Sequence, residues 1–475
     1  MGVTDVTRPG SLLRALATVA TGLAVAGCTV GPNYQRPEMP KPSEYRFEET
    51  PAQAESMADL KWWQVFDDPA LQALIREAIA NNLDLKAAAA RVEAARARAG
   101  IAKSYLYPQV DGALGYGVRQ ATNTPATADN PNGDSVNQNV AGGFQLAWEI
   151  DVFGRLRRQN EAAYALYLAT EQARRGVIVT MVGDVASDYF LLRELDLQLN
   201  IARNTLQLND ETVTYFRNRL EGGVSNRLEL DQAIANRSQT AASIPDIERQ
   251  IGITENAIAI LLGRPPAQIA RAAANPLEVP PPIPAGMPAT LLERRPDVLA
   301  AEQMLVAANA DVGAAKAQLF PTISLSGLAG GISGDVANLL GGAGGIWTIT
   351  PSLLQPVYNA GRLRRNIELH EAQMDEALAE YKKSALNGYR EVADALVSIS
   401  KLADARTHQQ TGVTALQDAS ELARARYDSG LASYIEILTA DQDLFNQQLL
   451  LAETRGAEFR ARSELYRALG GGWQP

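Results

Sequence analysis

One thiol, two imidazoles and a scatter of carboxylates are the reactive side chains of this 475-residue chain, and their spacing excludes most chemistry. A single Cys and two His cannot build a Cys/His zinc cluster, and a single Cys closes no disulfide within the chain. His370 and His408 lie in helical stretches without a His-Glu-x-x-His or nucleophile-elbow context, and no acid/base pair stands out. Both read as solvated helix residues, and the chain reads as a non-enzyme with no metal or cofactor. Gly341-Gly342-Ala343-Gly344-Gly345 lacks the Gly-Lys-Ser/Thr ending of a phosphate loop and reads as a flexible hairpin loop. Carboxylates do gather after two glycine turns: Glu229 and Asp231 follow Gly223, while Glu436, Asp441 and Asp443 follow Gly430. Assembly of copies about an axis would turn any inward-facing member into a ring of like charge that binds cations. Taken singly, each is more readily a solvated charge on an exposed helix face. Asp441-Gln442-Asp443 lacks the glycine and distal glutamate of a calcium loop.

The elements that position these residues are written twice. Gly154-Arg155-Leu156-Arg157-Arg158 returns letter for letter as Gly361-Arg362-Leu363-Arg364-Arg365, a shift of 207 residues, and both copies sit where a strand-like stretch gives way to a helical one. The same shift pairs Gly223 with Gly430 and Val185-Ala186 with Val392-Ala393, so fixed-period self-similarity governs the fold. The first copy is expected over 68–263 and the second over 295–470, joined by a linker at 264–294 that holds Pro280-Pro281-Pro282. Strands are expected at about 108–121, 139–153, 321–334 and 346–358. In the second of these, Val140, Phe144, Leu146, Trp148, Ile150 and Val152 face one way and Gln145, Glu149 and Asp151 the other. Thirteen residues at ~3.3 Å each give roughly 43 Å, ample for a tilted strand across a hydrocarbon layer. A strand of a soluble sandwich would alternate in the same way. After Gly154 and Gly361, helices of about 67 and 69 residues are expected, each on the order of 100 Å long. Return helices follow from about Asn226 to Gly263 and from Tyr434 to about Leu469, and shorter helices run from Asp68-Pro69 to Leu106 and from Arg295-Pro296-Asp297 to Pro321.

The formal charge of −10 with 46% hydrophobic residues offers no basic field for nucleic acid. Arg8 and Arg14 precede an uncharged run from Ala15 to Gly27, too short to span a bilayer but suited to the core of a signal peptide over 1–27. That run ends Val25-Ala26-Gly27-Cys28, which resembles the lipobox of bacterial lipoproteins. The resemblance implies that Cys28 is diacylated and becomes the new N-terminus, ahead of a proline-rich tether over 28–67. Thr29 stands where an aspartate would, by the same resemblance, retain a lipoprotein in the inner membrane, so the outer membrane is expected.

Cys28-Thr-Val-Gly-Pro-Asn-Tyr-Gln-Arg-Pro37, the Trp62-Trp63 pair with Phe66 and Asp68-Pro69, Asn81-Asn82-Leu83-Asp84-Leu85 and the two Gly-Arg-Leu-Arg-Arg joints resemble the TolC-like outer-membrane factors. The likeness is narrower still to the NodT-type lipoprotein branch that serves resistance-nodulation-division efflux pumps. It implies an α+β fold with a long α-helical barrel continued by a transmembrane β-barrel, assembled as a homotrimer in outer-membrane lipid with the helical part in the periplasm. A periplasmic adaptor and an inner-membrane resistance-nodulation-division pump would be its partners. Within the family's pattern, Glu229 and Glu436 match acidic gate positions and Tyr427 matches a gate tyrosine. Thr439 stands where an aspartate is common and Ala432 where an arginine can sit, so Asp441 carries the acidic role one turn away or not at all. Independently, four strands cannot close a barrel and an open edge is not tolerated in lipid; three chains give twelve strands, a count that leaves a lumen. The expected function is a passive export duct. The alternative, a soluble coiled-coil scaffold or adhesin, leaves both strand pairs and their Trp148 and Trp347 unexplained.

Overall fold

The computed structural model describes residues 29–39, 68–121, 135–271, 293–334 and 345–471. The signal segment 1–27, Cys28, the Trp62-Trp63 pair, the linker from 272 to 292 and the loop glycines 341, 342 and 344 lie outside the described residues. In chain order the elements are α1 (Pro69–Asn81), α2 (Leu83–Ser104), β1 (Gln109–Ala121), β2 (Ser135–Ile150), α3 (Arg155–Glu221), α4 (Arg227–Leu261), α5 (Pro296–Ala317), β3 (Thr322–Ser333), β4 (Gly345–Leu354), α6 (Arg362–Asp428) and α7 (Tyr434–Ala468). Two compact units share them. One comprises the described part of Met1–Pro37 with Val92–Ala169 and Ala301–Tyr381; the other comprises the described part of Glu38–Arg91 with Thr170–Ala300 and Lys382–Pro475.

Among the described residues no helix is long and apolar enough to cross a membrane. Both long helices hold 67 residues, about 100 Å at 1.5 Å per residue. Three boundaries differ from the sequence reading. The run from Asp68 to Leu106 breaks at Asn82, whose extended backbone ends α1 while its side chain accepts from Leu85 N (2.9 Å) to start α2 and donates to Leu261 O (2.9 Å). Asparagine followed directly by good helix formers gives no break in composition, so the interruption is invisible to propensity. β2 begins at Ser135, earlier than the alternation suggests, and β4 ends at Leu354 rather than near 358, where Pro356 cannot extend a ladder. The return helix α4 also carries Pro245 in its interior, where its counterpart in α7 is Ala452.

The strands form one antiparallel sheet in the order β1-β2-β3-β4, and the β2–β3 pair joins the two repeats. Directly opposed residues share a face. Rows such as Val110–Leu146–Gly327–Ile349, Phe144–Ala329–Trp347 and Trp148–Leu325 make one face apolar, while Asp111–Gln145, Glu149–Ser324–Ser352 and Ser326–Thr350 make the other polar. Much of the apolar face is bare, with Leu114 76% exposed and Trp347 79%, while Val140 on the same face is buried. The edges β1 and β4 are each paired on one side only.

Each strand-to-helix joint turns on a glycine with positive φ, +80° at Gly154 and +84° at Gly361, a region that a side chain at these positions would strain. At the first joint Arg155 forks onto Glu149 (2.6 and 3.0 Å), and Asp151 accepts from the backbone N–H groups of Leu156 (3.1 Å) and Arg157 (2.8 Å). Arg158 is buried; it holds the extended segment after Thr29 by donating to Val30 O (3.3 Å) and Asn33 Oδ1 (2.8 Å), and pairs with Glu161 at 2.8 Å. Alanine packing closes the same unit, with Ala162 and Ala165 of α3 against Ala307 and Ala310 of α5.

Candidate functional site

The two helix–helix turns are built alike. α3 ends with Gly223 at φ +72° and α6 with Gly430 at φ +73°. Val224 N donates to Arg219 O (2.9 Å) and Leu431 N to Arg426 O (2.8 Å), the six-residue closure that satisfies the last carbonyls of a helix ending in a left-handed glycine. Each of these arginines then reaches forward across its turn, Arg219 Nη2 to Val224 O (3.4 Å) and Arg426 Nη2 to Leu431 O (3.3 Å). The pair is one position written twice at the repeat shift.

An aromatic cluster packs beneath the turns. Phe216 of α3 and Tyr434 of α7 are buried with ring centroids 4.3 Å apart, and Tyr427 of α6 meets Phe216 at 5.9 Å. Val213, Ala233, Ala423, Ile437 and Leu438 complete its buried members. Arg219 lies over two rings, 5.4 Å from the centroid of Tyr215 and 5.7 Å from that of Tyr427, and donates to the Tyr215 hydroxyl at 2.9 Å. Burial, and then the charge of Glu229, push the Tyr427 phenol up. Burial, and then the charge of Asp441, push that of Tyr434 up to about 12. Both are neutral hydrogen-bonding groups at any physiological pH.

The carboxylates singled out by sequence are distributed unevenly around this cluster. Glu229 is half-buried and engaged: it accepts from the Ser225 hydroxyl, and its N–H is capped by Asn226 Oδ1 at 3.0 Å. Asp231 lies 3.4 Å from Arg227. Glu436 is exposed, 3.7 Å from Arg426. Asp441 is half-buried and fully engaged: Arg424 pairs with it at 2.8 Å and the Ser420 hydroxyl donates to it at 2.5 Å. Asp443 is exposed. The guanidinium facing Tyr427 comes from Arg219 of the first repeat, not from position 432 of the second, where Ala432 stands. Sequence reasoning passes over Arg219 and Tyr215, although the recurrence of arginine at 219 and 426 is a usable signal. A cleft of about 350 Å³ opens beside the cluster, lined by Glu211, Tyr215, Phe216, Arg424, Tyr427 and Tyr434 among others.

A sheet with one uncovered apolar face, a polar opposite face and two half-paired edges defines a subunit of a membrane β-barrel that closes only with further copies. The chain belongs to the outer membrane efflux protein family, whose model matches residues 74–264 and 287–471. It is 34% identical over 466 residues to the cation efflux system protein CusC of Escherichia coli O6:H1, covering 97% of this chain and 99% of that one. It is 33% identical over 463 residues to the probable efflux pump outer membrane protein TtgC of Pseudomonas putida, covering 96% of this chain and 95% of that one. Among solved structures, the outer-membrane channel OprN superposes with a TM-score of 0.88 at 30% identity, over 94% of this chain and all (100%) of that one. CusC superposes with a TM-score of 0.82 at 32% identity, over 94% and 100%. The fold is TolC-like, and the chain is an outer-membrane efflux channel protein, with its strands in the outer membrane and its helices in the periplasm.

Proposed function

We propose that three copies of this chain form a passive duct that carries cargo from an inner-membrane resistance-nodulation-division pump and a periplasmic adaptor out of the cell. The observation that carries the reading is the sheet: its apolar face needs lipid, its half-paired edges β1 and β4 need partners, and its Ser, Thr, Gln and Asp face suits a wet lumen. Relatives are named for cations and for toluene, so the cargo of this duct is set upstream, in the pump that feeds it. The gate belongs at the turns around Gly223 and Gly430, with Tyr427 and Arg219 as its closing contact and Glu229 and Glu436 as its acidic ring. Asp231 and Asp441 are the lesser candidates, Asp441 because Arg424 neutralises it within the protomer.

Cys28 anchors the assembly through its acyl chains after removal of 1–27, with 28–67 as tether, 68–263 and 295–470 as the repeated bodies and 264–294 as the link between them. Cys28→Ser abolishes acylation while the closed barrel still resides in the membrane, because a barrel holds lipid more strongly than acyl chains do. Fatty-acid labelling tests the anchor, and label on the Ser variant refutes it. Planar-bilayer recording on the purified protein tests the duct: cation-favouring conductance from a trimer is expected, and a monomer that never conducts overturns the reading.

A further inference from the structure

The duplicated pentapeptide has diverged in what surrounds it. In the first copy all three arginines are matched inside the protein, Arg155 by Glu149, Arg157 by Asp151 and Arg158 by Glu161. Shifted by 207 residues, Glu149 becomes Pro356 and Asp151 becomes Tyr358. Arg362 and Arg364 are therefore exposed and have no acidic partner among the described residues; only Arg365 keeps one, Glu368 at 2.6 Å. Apolar residues leading into the joint are bare: Leu353 on the sheet's apolar face at the end of β4, then Val357 at 93% exposed and Tyr358 at 88%. Phe153, which stacks on Phe320 at the first joint with centroids 4.8 Å apart, is replaced by Ala360 at the second. One joint is closed on itself, while the other sets two free guanidinium groups beside an uncovered apolar shelf.

We propose that the second joint binds an anionic phospholipid of the membrane's periplasmic leaflet, with its phosphate on Arg362 and Arg364 and an acyl chain along Leu353, Val357 and Tyr358. Unpaired positive charge beside bare hydrocarbon is complementary to a molecule that is negative at one end and apolar at the other. The guanidinium fork matches phosphate oxygens two at a time, and a tyrosine is at home at headgroup level. β4 ends at Leu354 and leads directly into this joint, so with β4 in the bilayer Arg362 and Arg364 stand near the membrane–water boundary. A phosphatidylcholine headgroup, carrying its own cation, gains less from the pair. The inference rests on the duct reading, which places the sheet in lipid.

Native mass spectrometry on the purified full-length trimer, exposed in turn to phosphatidylglycerol and phosphatidylcholine, tests it. Phosphatidylglycerol adducts are expected to survive activation where phosphatidylcholine adducts are lost. Arg362→Gln with Arg364→Gln should weaken phosphatidylglycerol retention about 30-fold and Arg364→Gln alone about fivefold, as the loss of two surface arginines or one implies. Arg249→Gln, an exposed arginine paired with Asp246, should leave retention unchanged. Equal retention of the two lipids, or undiminished phosphatidylglycerol on the double variant, overturns the proposal. So does a double variant that dissociates into monomers, because the arginines would then be meeting carboxylates of a neighbouring copy. A conducting trimer indifferent to lipid charge overturns this inference alone, whereas a chain that never enters a bilayer overturns the duct reading as well.

Discussion

The guanidinium of Arg219 lies 5.7 Å from the ring centroid of Tyr427, so the last turn of the first repeat's long helix is tied to the last turn of the second's. The same side chain bonds Tyr215 and reaches the Val224 carbonyl, so it fixes a ring of each repeat and the turn between α3 and α4 at once. Removing it should free Tyr427 without emptying the core, because Phe216 and Tyr434 still pack on each other. Arg219→Ala is expected to raise single-channel conductance several-fold and to lower the melting temperature slightly, since it removes one cation–π contact and one exposed hydrogen bond. The guanidinium of Arg426 caps its own turn by donating to the Leu431 carbonyl, so Arg426→Ala should cost similar stability with little gain in conductance. Equal conductance gains from both variants would place the closing contact elsewhere.

Selectivity separates the carboxylates. Glu229 and Glu436 occupy corresponding positions after the two turns, and Glu436 is exposed. Asp441 is matched by Arg424 at 2.8 Å. Glu229→Gln with Glu436→Gln should lower potassium-over-chloride selectivity and relieve block by divalent cations, because a narrow ring of like charge concentrates cations. Asp441→Asn should change selectivity little and stability more. A loss of selectivity confined to Asp441→Asn would reverse these roles.

Much of this architecture is legible in the chain. The long helices follow from proline-free stretches ended by Gly223 and Gly430, and the sheet's faces follow from strict alternation in β2. What escapes has a common cause: the deciding partner lies far away in sequence. Asn82 ends a helix by bonding to Leu261, and Tyr427 is faced by Arg219 rather than by any neighbour in its own turn. Asp441 looks like a free carboxylate until Arg424, on the other side of the bend, folds back onto it. Local pattern fixes periodicity and punctuation, but not which charges cancel.

Asp188 on α3 predicts a pH dependence. Burial, and then the charge of Asp184, push its carboxyl up to about 6. Asp184 is itself pushed up by burial, with Arg467 opposing at 3.6 Å. A folded-state value above the unfolded one means that the folded protein holds the extra proton between about pH 4 and 6, so stability falls as pH rises through that window and the full cost persists above it. Asp188→Asn should therefore stabilise the protein by about 1 kcal/mol at pH 7.5, a figure reduced for partial solvent screening, and the advantage should vanish below about pH 4. Thermal melts in detergent across pH measure it, and an advantage that grows on acidification would contradict the assignment.

Glu458 on α7 is 1% exposed and accepts from Arg406 of α6 and from Arg462, each at 3.0 Å. At the same positions of the first repeat, Arg406 and Glu458 correspond to the apolar Leu199 and Ile251. At these two positions one repeat carries a buried charge pair between its long and return helices, and the other carries apolar residues. Removing one member of a buried ion pair costs about 3–5 kcal/mol because the other is left uncompensated, whereas replacing both by apolar groups of similar volume is close to neutral. Glu458→Ile should therefore lower the melting temperature sharply, and adding Arg406→Leu, which transplants the first repeat's pair, should recover much of the loss even though Arg462 still loses its acceptor. The double-mutant cycle read from denaturant midpoints isolates that coupling, with an interaction energy of about 2 kcal/mol expected. Additive losses would mean that Arg406 finds solvent as readily as it finds Glu458, and that this pair adds nothing to the joining of the two helices.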